Sequence, residues 1–589
     1  MTETQPFSVD ADLVAAQFDS LDSETHRRAL LEALRARDVY RKMIDELKER
    51  IAKLEQGLIG PKSQRFKGES DAQLSLQLLA ELLGKQAEAD DTAQKLAQEL
   101  LARAEADAQL ADDAGGGEDD GGPGGDQPHR RRSKPTGRKT ARQDVAKLRI
   151  EMLPDEVKRL GLDAFERIGE ESATTLERRV SSLVEVTVVR PKFRAKSNDA
   201  VEAVRLSRQE QGSPATNEPE SWITIAPPLA LPLPRTLVGP SLLANVIVRR
   251  FDDHLPYNRL ENVYEREGMR LGRSTLYGWL DQLRPLFAPL LDAMLADAKT
   301  APYVCIDATG VLVQAPEKCA RGHFWVLVAP GRHVLFAFSM KHDKAAVDDL
   351  LGDYAGYVVA DAHAVYDHLY GSGAATEVGC WGHARAYFFK TVASEPAVAK
   401  AFLDNLRLLF LLERRFADKP RRERERMRAK QAAALVDRHF ALCRQHDASA
   451  LDGTPLRAAV TYSLNQETAL RRFLHDGRLP LTNNISERNL RPQATGRKNW
   501  LFVGSDDGAA VNTTFATLIA SCRLNGIEPE AYLRDVLCLL PTWPVSRVLD
   551  LAPCNWEQTL QQPEAQRLLD GCLIRSILLD LDRVHPPAT

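Results

Sequence analysis

Tyr303-Val304-Cys305-Ile306-Asp307-Ala308-Thr309 is an apolar run interrupted by a carboxylate. Valine, isoleucine and tyrosine suit a pleated, half-buried strand, whereas aspartate is disfavoured inside one, so Asp307 asks for a reason other than packing. Gly356-Tyr357-Val358-Val359-Ala360-Asp361 repeats the pattern, an apolar strand closed by an aspartate. Working outward, strand signals fall at 304–313, 323–328, 333–338, 357–361 and 378–381, with a helix near 344–354. Three strands in quick succession, a helix, a fourth strand, a short helix and a fifth strand predict a mixed sheet.

A third carboxylate lies far downstream, in Leu481-Thr482-Asn483-Asn484-Ile485-Ser486-Glu487-Arg488-Asn489-Leu490-Arg491-Pro492, continued by Gly496-Arg497-Lys498-Asn499-Trp500-Leu501-Phe502-Val503-Gly504-Ser505. Here Glu487 is a single acid among Arg488, Arg491, Arg497 and Lys498, an arrangement suited to a carboxylate that holds a metal while its neighbours hold a polyanion. The same residues also read as a capping box, with Asn484 as the cap and Glu487 bonding back to the helix start. Two strand-borne aspartates and a helical glutamate are hard oxygen ligands. Such ligands suit a pair of Mg²⁺ ions, with Mn²⁺ as a substitute, in phosphoryl transfer. The long interval between Asp361 and Glu487 reads as a helical insertion over 391–475. Its run Arg421-Arg422-Glu423-Arg424-Glu425-Arg426 is most simply a solvated helix face.

With 589 residues, several domains are expected. The net charge of −4 and pI near 6.4 argue against a nucleic-acid partner only on average. Asp112, Asp113, Glu118, Asp119, Asp120 and Asp126 crowd a Gly-rich segment, and Arg130, Arg131, Arg132 and further basic residues follow it, able to neutralise phosphates. All eight cysteines fall at Cys305 or later with no C-x-x-C pair, and no signal-peptide pattern opens the chain. Both point to a cytoplasmic protein, which DNA binding through the basic segment would associate with the nucleoid. No apolar stretch approaches the roughly 20 residues that cross a bilayer, so no membrane partner is expected.

Tyr40, Ile44, Leu47, Ile51, Leu54 and Leu58 alternate spacings of four and three, the seam of a coiled coil within region 1–66. Self-association to a homo-oligomer is the first reading, and a helix packed on its own chain the second. A helical segment (67–106), a disordered acidic and basic linker (107–142) and a small mixed module (143–200) follow. Region 220–298 reads as helical: one helix over 241–252, a second with Pro256 at its first position and closed by Gly268, a third capped by Ser274. The last two are spaced like a helix-turn-helix, with Arg266, Arg270 and Arg273 near the turn as DNA contacts. The remaining boundaries are expected at 299–390 for the first part of the core, 476–535 for its completion with Glu487, and 536–589 for a helical tail.

The chain resembles the transposase subunit of the insertion sequence 66 family, and the resemblance covers most of its length. It rests on His254-Leu255-Pro256-Tyr257-Asn258-Arg259, on Asp307-Ala308-Thr309, on Asp361-Ala362 through Tyr366, and on Gly379-Cys380-Trp381-Gly382-His383-Ala384-Arg385. The 483–505 run and Leu524-Asn525-Gly526-Ile527-Glu528-Pro529 complete it. The resemblance implies a multidomain α+β protein with a ribonuclease-H-like mixed α/β core interrupted by a helical insertion. It implies an Asp-Asp-Glu triad at Asp307, Asp361 and Glu487, which are both catalytic and metal ligands. It further implies a transposase acting on terminal inverted repeats and target DNA, with small companion proteins as partners. His383 and Arg385 are candidates to orient DNA or a metal-bound group, although a lone histidine is more often structural. Two departures stand out. Similar proteins carry a zinc-binding module built on cysteine pairs, yet 153–196 holds no cysteine, so no zinc is expected there. Ala308 stands where similar sequences commonly have glutamate. Both departures keep open a DNA-binding relative with impaired chemistry; a ribonuclease-H-like nuclease is a separate alternative.

Overall fold

The computed structural model describes residues 146–584 apart from 179–182, 211–221, 230, 234–235, 237, 316–318 and 372. The heptad region, the helical segment after it and the linker with Arg130, Arg131 and Arg132 lie outside the described residues. The chain forms two compact units: one contains 378–482, the other 126–377 together with 483–589.

The larger unit opens with a mixed sheet. Strand β1 (Ala146–Glu151) runs parallel to β3 (Leu183–Ala195), which pairs antiparallel with β2 (Phe165–Arg178) and with the short β4 (Ile223–Ile225). Helix α1 (Asp155–Leu160) links β1 to β2, and α2 (Asn198–Glu210) follows β3. Val157 of α1, Phe165 and Phe193 of the sheet, and Ala200 and Val204 of α2 close a small core.

Three helices come next: α3 (Pro240–Phe251), α4 (Tyr257–Arg266) and α5 (Arg273–Ala298). Proline at the first position starts α3 in the usual way. Pro256, however, is the cap of α4 rather than its first residue, and α5 begins at Arg273 without a side-chain cap, so Ser274 does not cap it. The third helix also runs on to Ala298. It carries Leu276, Leu280, Leu283, Phe287, Leu290 and Met294 into the main core at helical spacing, so tertiary burial extends it past Pro285 and Pro289.

The second sheet has the order β7-β6-β5-β8-β9. Strands β5 (Tyr303–Val313), β6 (Ala320–Ala329) and β7 (His333–Ser339) form an antiparallel meander. After α6 (Lys344–Leu351), β8 (Tyr357–Ala360) returns parallel to β5, which makes this sheet mixed too. The short α7 (Asp367–Gly371) leads to β9 (Thr376–Gly379), within which the chain passes into the smaller unit.

The smaller unit is helical: α8 (Trp381–Lys390), α9 (Pro396–Phe416), α10 (Arg421–Met427), a π-helical turn (Arg428–Ala432), α11 (Ala433–Asp447), α12 (Pro455–Asn465) and α13 (Glu467–Arg471). Trp381, Phe388, Phe402, Phe440 and Phe473 fill it around His439, whose imidazole burial pushes down to about 3, so it stays neutral. The arginine run at 421–426 is only partly a solvated face. Arg424 donates to the carbonyls of Phe416 at 3.1 Å and Gly477 at 3.0 Å, and Arg421 pairs with Glu425 and with Asp476.

Back in the larger unit follow α14 (Asn484–Trp500), α15 (Asp506–Leu524), α16 (Pro529–Leu539), α17 (Trp556–Leu560), α18 (Pro563–Gly571) and α19 (Leu573–Val584). Ser505 caps α15 by accepting from the Gly508 N–H at 3.1 Å, and Asp506 and Asp507 complement its N-terminal dipole. Helix α15 packs under β7, where the Thr517 hydroxyl accepts from the Phe336 N–H at 2.9 Å and Ser521 bridges both backbone groups of Val334 at 3.0 Å. Edge-strand groups that would otherwise need water are thereby satisfied. The main core lies between one face of this sheet and helices α3, α5, α15 and α16. No described helix is long and apolar enough to cross a membrane.

Candidate active site

Side chains alternate faces along a strand, which decides where the acids go. On β5, Val304 and Ile306 enter the main core and Ala308 packs against it, while Val311 belongs to a separate cluster with Phe324, Val503 and Ala509. Asp307 and Thr309 therefore belong to the second face. On β8, Val358 and Ala360 enter the main core. The parallel register runs as far as Cys305 opposite Val359 and β8 ends at Ala360, so Asp361 leaves the strand two residues after Val359, as Asp307 lies two residues after Cys305. Adjacent strands lie about 4.8 Å apart. Asp361 thus leaves the end of β8 beside the strand that carries Asp307, although the two are far apart in the chain.

Each is oriented by its local backbone. One Asp307 carboxylate oxygen accepts from the Ala308 N–H at 2.8 Å, and one Asp361 oxygen accepts from the His363 N–H at 3.2 Å. Ala362 between them sits at φ 61°, a left-handed conformation uncommon for a residue with a Cβ, and it turns the chain sharply out of β8. His363 then takes the Val365 N–H on its Nδ1 at 3.2 Å and starts a short 3-10 turn that ends at Tyr366. The buried Tyr366 phenol is pushed well up, by burial first and then by the charges of Asp361 and Asp307.

Helix α14 covers the second face of β5. Its cap residue Asn483, fully buried, donates from Nδ2 to the Ile306 carbonyl at 2.8 Å, one residue before Asp307. At its other end Arg497 donates from Nη1 to the Thr309 hydroxyl at 3.1 Å and to the Gly310 carbonyl. Glu487 lies one turn after Asn483 and so shares its side of the helix. The helix starts one residue earlier than the capping-box reading requires: Asn483 is the cap, it makes no side-chain cap bond, and its Nδ2 holds β5 instead. After the helix, Val503 bridges to Val313 and exchanges backbone hydrogen bonds with Leu312 and Gln314 at 2.8 Å, which ties both ends of the segment to one strand.

The basic residues divide. Arg497 is half-buried and clamps β5. Arg488, Arg491 and Lys498 are exposed, and among the described residues none of them has a hydrogen bond or ion pair. Arg270 and Arg273 both reach Glu261, at 3.5 and 3.3 Å, and remain about two-thirds exposed; Arg266 ends α4, exposed. His383 and Arg385 lie on α8 in the smaller unit, where burial lowers the Arg385 guanidinium below its ordinary range.

Sequence reasoning missed two features here. Trp500 and Arg250 meet, with the Arg250 guanidinium 5.7 Å from the Trp500 ring, 4.8 Å from Tyr257 and 5.5 Å from Phe251. Asn499 donates to the His254 carbonyl at 3.3 Å, so the segment around His254 and the end of α14 form one surface. Leu501, 64% exposed, is the centre of a classic γ-turn (φ 65°, ψ −49°) closed by the Phe502 N–H on the Trp500 carbonyl at 2.8 Å. His254, Ala362 and Leu501 are the positive-φ residues other than glycine among the described residues. Ala362 adjoins Asp361, while His254 and Leu501 lie by the far end of α14; backbone strain of this kind gathers at working sites.

A model of the Transposase IS66 family matches residues 235–511, and a model of the IS66 C-terminal element matches 517–554, together more than half of the chain. The chain belongs to the IS66 transposase family. Relatives are found in Sinorhizobium fredii (strain NBRC 101917 / NGR234). The uncharacterized protein y4hP is 28% identical over 426 residues, 68% of this chain and 73% of its own length. The uncharacterized protein y4qI is 30% identical over 337 residues, 54% of this chain and 62% of its own. The first match takes in Asp307, Asp361 and Glu487 of this transposase with the basic residues of α14, and leaves out the mixed sheet at 146–225.

Proposed function

We propose that this transposase cleaves the 3′ ends of an insertion sequence and joins them to target DNA, using Asp307, Asp361 and Glu487 as the catalytic carboxylates. The observation that carries the reading is the register of β5 against β8. It brings the end of β8, which Asp361 follows, beside the strand that carries Asp307; α14 is anchored on that strand and bears Glu487 on its first turn. The strand order, three antiparallel strands with a fourth parallel to the first, supports a ribonuclease-H-like core, into which 378–482 is inserted between β9 and α14.

The donor set suits a hard divalent cation: the candidate ligands are carboxylate oxygens of half-buried residues. Among the described residues no three histidine, cysteine, aspartate or glutamate side chains already converge on one point. Magnesium is ordinarily held by one or two carboxylates with the remaining positions left to water and substrate phosphate, and Asp307 and Asp361 from adjoining segments with Glu487 from α14 fit that pattern. Bound there, Mg²⁺ or Mn²⁺ would make the attacking hydroxyl a stronger nucleophile and stabilise the departing oxygen. The chain's own contribution is positional. Asn483 and Arg497 fix α14 on β5, and Arg488, Arg491 and Lys498, exposed on the same helix, would hold the DNA backbone. Arg266, Arg270 and Arg273 at the turn between α4 and α5 would add end-binding contacts, with Arg130, Arg131 and Arg132 in the linker, and His383 and Arg385 are retained as contacts from α8. Assembly through the heptad region, cooperation with companion proteins, and a cytoplasmic, nucleoid-associated location belong to the same reading.

Ala308 takes nothing from this face. It packs toward the main core, beneath the sheet, so the residue type there does not change the ligand set around Asp307. This favours an active enzyme over a binding-only relative.

Strand transfer with purified protein on a labelled, pre-cleaved element end tests the proposal, with Asp361→Asn and Glu487→Gln alongside. Metal-dependent joining should fall by roughly 10³-fold in each variant while end binding persists. Joining that survives both substitutions would overturn the assignment. Specific end binding without joining, even with the element's companion proteins added, would make the chain a binding-only relative. Cleavage of RNA–DNA hybrids without joining would make it a nuclease.

A further inference from the structure

Far from the acidic face, Cys538 near the end of α16 and Cys572 immediately after α18 hold their sulfur atoms 3.2 Å apart, both half-buried. They line a cavity of about 220 Å³ together with Leu229, Leu231, Pro240 and Leu573. Contact between the sulfurs brings them to a separation from which a small side-chain adjustment makes a bond. The cavity gives a small polar oxidant a way in.

We propose that Cys538 and Cys572 are an oxidative modification site, a dithiol that hydroperoxides convert to an intramolecular disulfide. Cys572 is the attacking sulfur. The Cys538 S–H, the Arg575 N–H and the Arg575 charge hold its thiol below the ordinary range, against the opposing effects of burial and the Asp535 carboxylate. Cys538 is pushed the other way and keeps its proton. The groups facing the pair are Asp535 on α16, bound by Arg575 of α19 at 2.8 and 2.9 Å, and Glu177 at the end of β2. The Cys572 thiolate attacks one peroxide oxygen, the O–O bond breaks, and hydroxide leaves to be protonated by solvent. The Cys538 sulfur then attacks the resulting sulfenic sulfur. The S–S bond forms, the S–O bond breaks, and water departs with the Cys538 proton. Two thiols lose two electrons and hydrogen peroxide becomes two waters. Three other thiols do not share this setting: burial pushes Cys443 up to about 12 and Cys554 up to about 11, and raises Cys522 further. The inference is independent of the proposed strand-transfer chemistry.

The test uses the reduced full-length protein, stoichiometric hydrogen peroxide and peptide mass spectrometry. The free-thiol count should fall from eight to six, with one disulfide joining the peptides of Cys538 and Cys572. Cys538→Ser should stop at a sulfenic acid on Cys572 that dimedone traps, whereas Cys572→Ser should give no trapped adduct at Cys538. In untreated protein at neutral pH, iodoacetamide should label Cys572 roughly tenfold faster than Cys319. A protein that keeps eight thiols, pairs other cysteines, or labels Cys572 no faster than Cys319 would reduce the pair to packing.

Discussion

Arg428 in the helical unit and Arg488 on α14 carry the same side chain under opposite conditions. Arg428 is 1% exposed and fully used: two bonds to Glu413 at 2.8 and 2.6 Å, and others to the carbonyls of Phe473, Asp476 and Leu479 at 2.6, 2.8 and 2.9 Å. Five donors in a planar fork can saturate such a site, and a lysine cannot. Arg488 is exposed with no partner among the described residues. The difference separates charge that builds the protein from charge left available to something else, and each side of it can be tested.

The largest effect is expected from Arg428→Ala. It strands the Glu413 carboxylate and three carbonyls in a buried setting, and breaking a buried pair on one side typically costs about 3–5 kcal/mol. Urea unfolding of the variant should show this loss. A loss below about 1 kcal/mol would mean that saturation is not what holds the 428–432 turn.

Glu177 is the intermediate case, a buried acid that is only half satisfied. It is 0% exposed; Ser241 donates to Oε2 through its hydroxyl and, at 3.2 Å, through its N–H, while Oε1 has no hydrogen-bond partner among the described residues. Burial pushes its carboxyl up to about 8, with Cys572 adding to the rise. The folded state therefore holds a proton that the unfolded chain releases near the ordinary 4.5. Stability is full below that value and falls by about 1.4 kcal/mol per unit as pH climbs toward 8, then levels off. Glu177→Gln should flatten the profile and make the protein relatively more stable at alkaline pH. Parallel profiles for both proteins would show that Glu177 ionises normally.

How much of this was legible beforehand follows the range of the interactions. The strands of the second sheet could be read because apolar runs of four to eleven residues leave a local signature, and Asp307 and Asp361 were conspicuous as acids that such runs disfavour. That β8 ends beside the strand carrying Asp307 was not legible, since it depends on a parallel pairing across 54 residues that only the register reveals. The sequence reads as capped at Asn484, one residue late, because the cap residue Asn483 bonds its amide to Ile306, 177 positions away. Arg428 lay just beyond a run read as solvated surface. Nothing nearby in sequence announces partners at 413 and 473–479.

Strain is the next contrast to test. Ala362 is held at φ 61° between Asp361 and His363, and left-handed backbone costs a residue with a Cβ on the order of 1 kcal/mol. Ala362→Gly should stabilise the fold by about 0.5–1 kcal/mol in urea unfolding while lowering strand transfer, because glycine also relaxes the turn that aims Asp361. Higher stability with unchanged activity would detach the strain from the site.

The smallest effect on folding belongs to the open arginines, which is what makes them informative. Arg488→Ala, Arg491→Ala and Lys498→Ala should each leave stability within about 0.5 kcal/mol, since no contact among the described residues is lost. Where the side chain meets a phosphate, affinity should weaken uniformly across DNA sequences and the slope of log K against log salt should shrink by about 1. Arg497→Ala is the internal control: it removes the clamp on Thr309 and Gly310 and should cost about 1–3 kcal/mol of stability. If Arg488→Ala were as destabilising as Arg497→Ala, the exposed residues of α14 would be structural after all. If neither changed the salt slope, the helix would hold its glutamate in place without touching DNA.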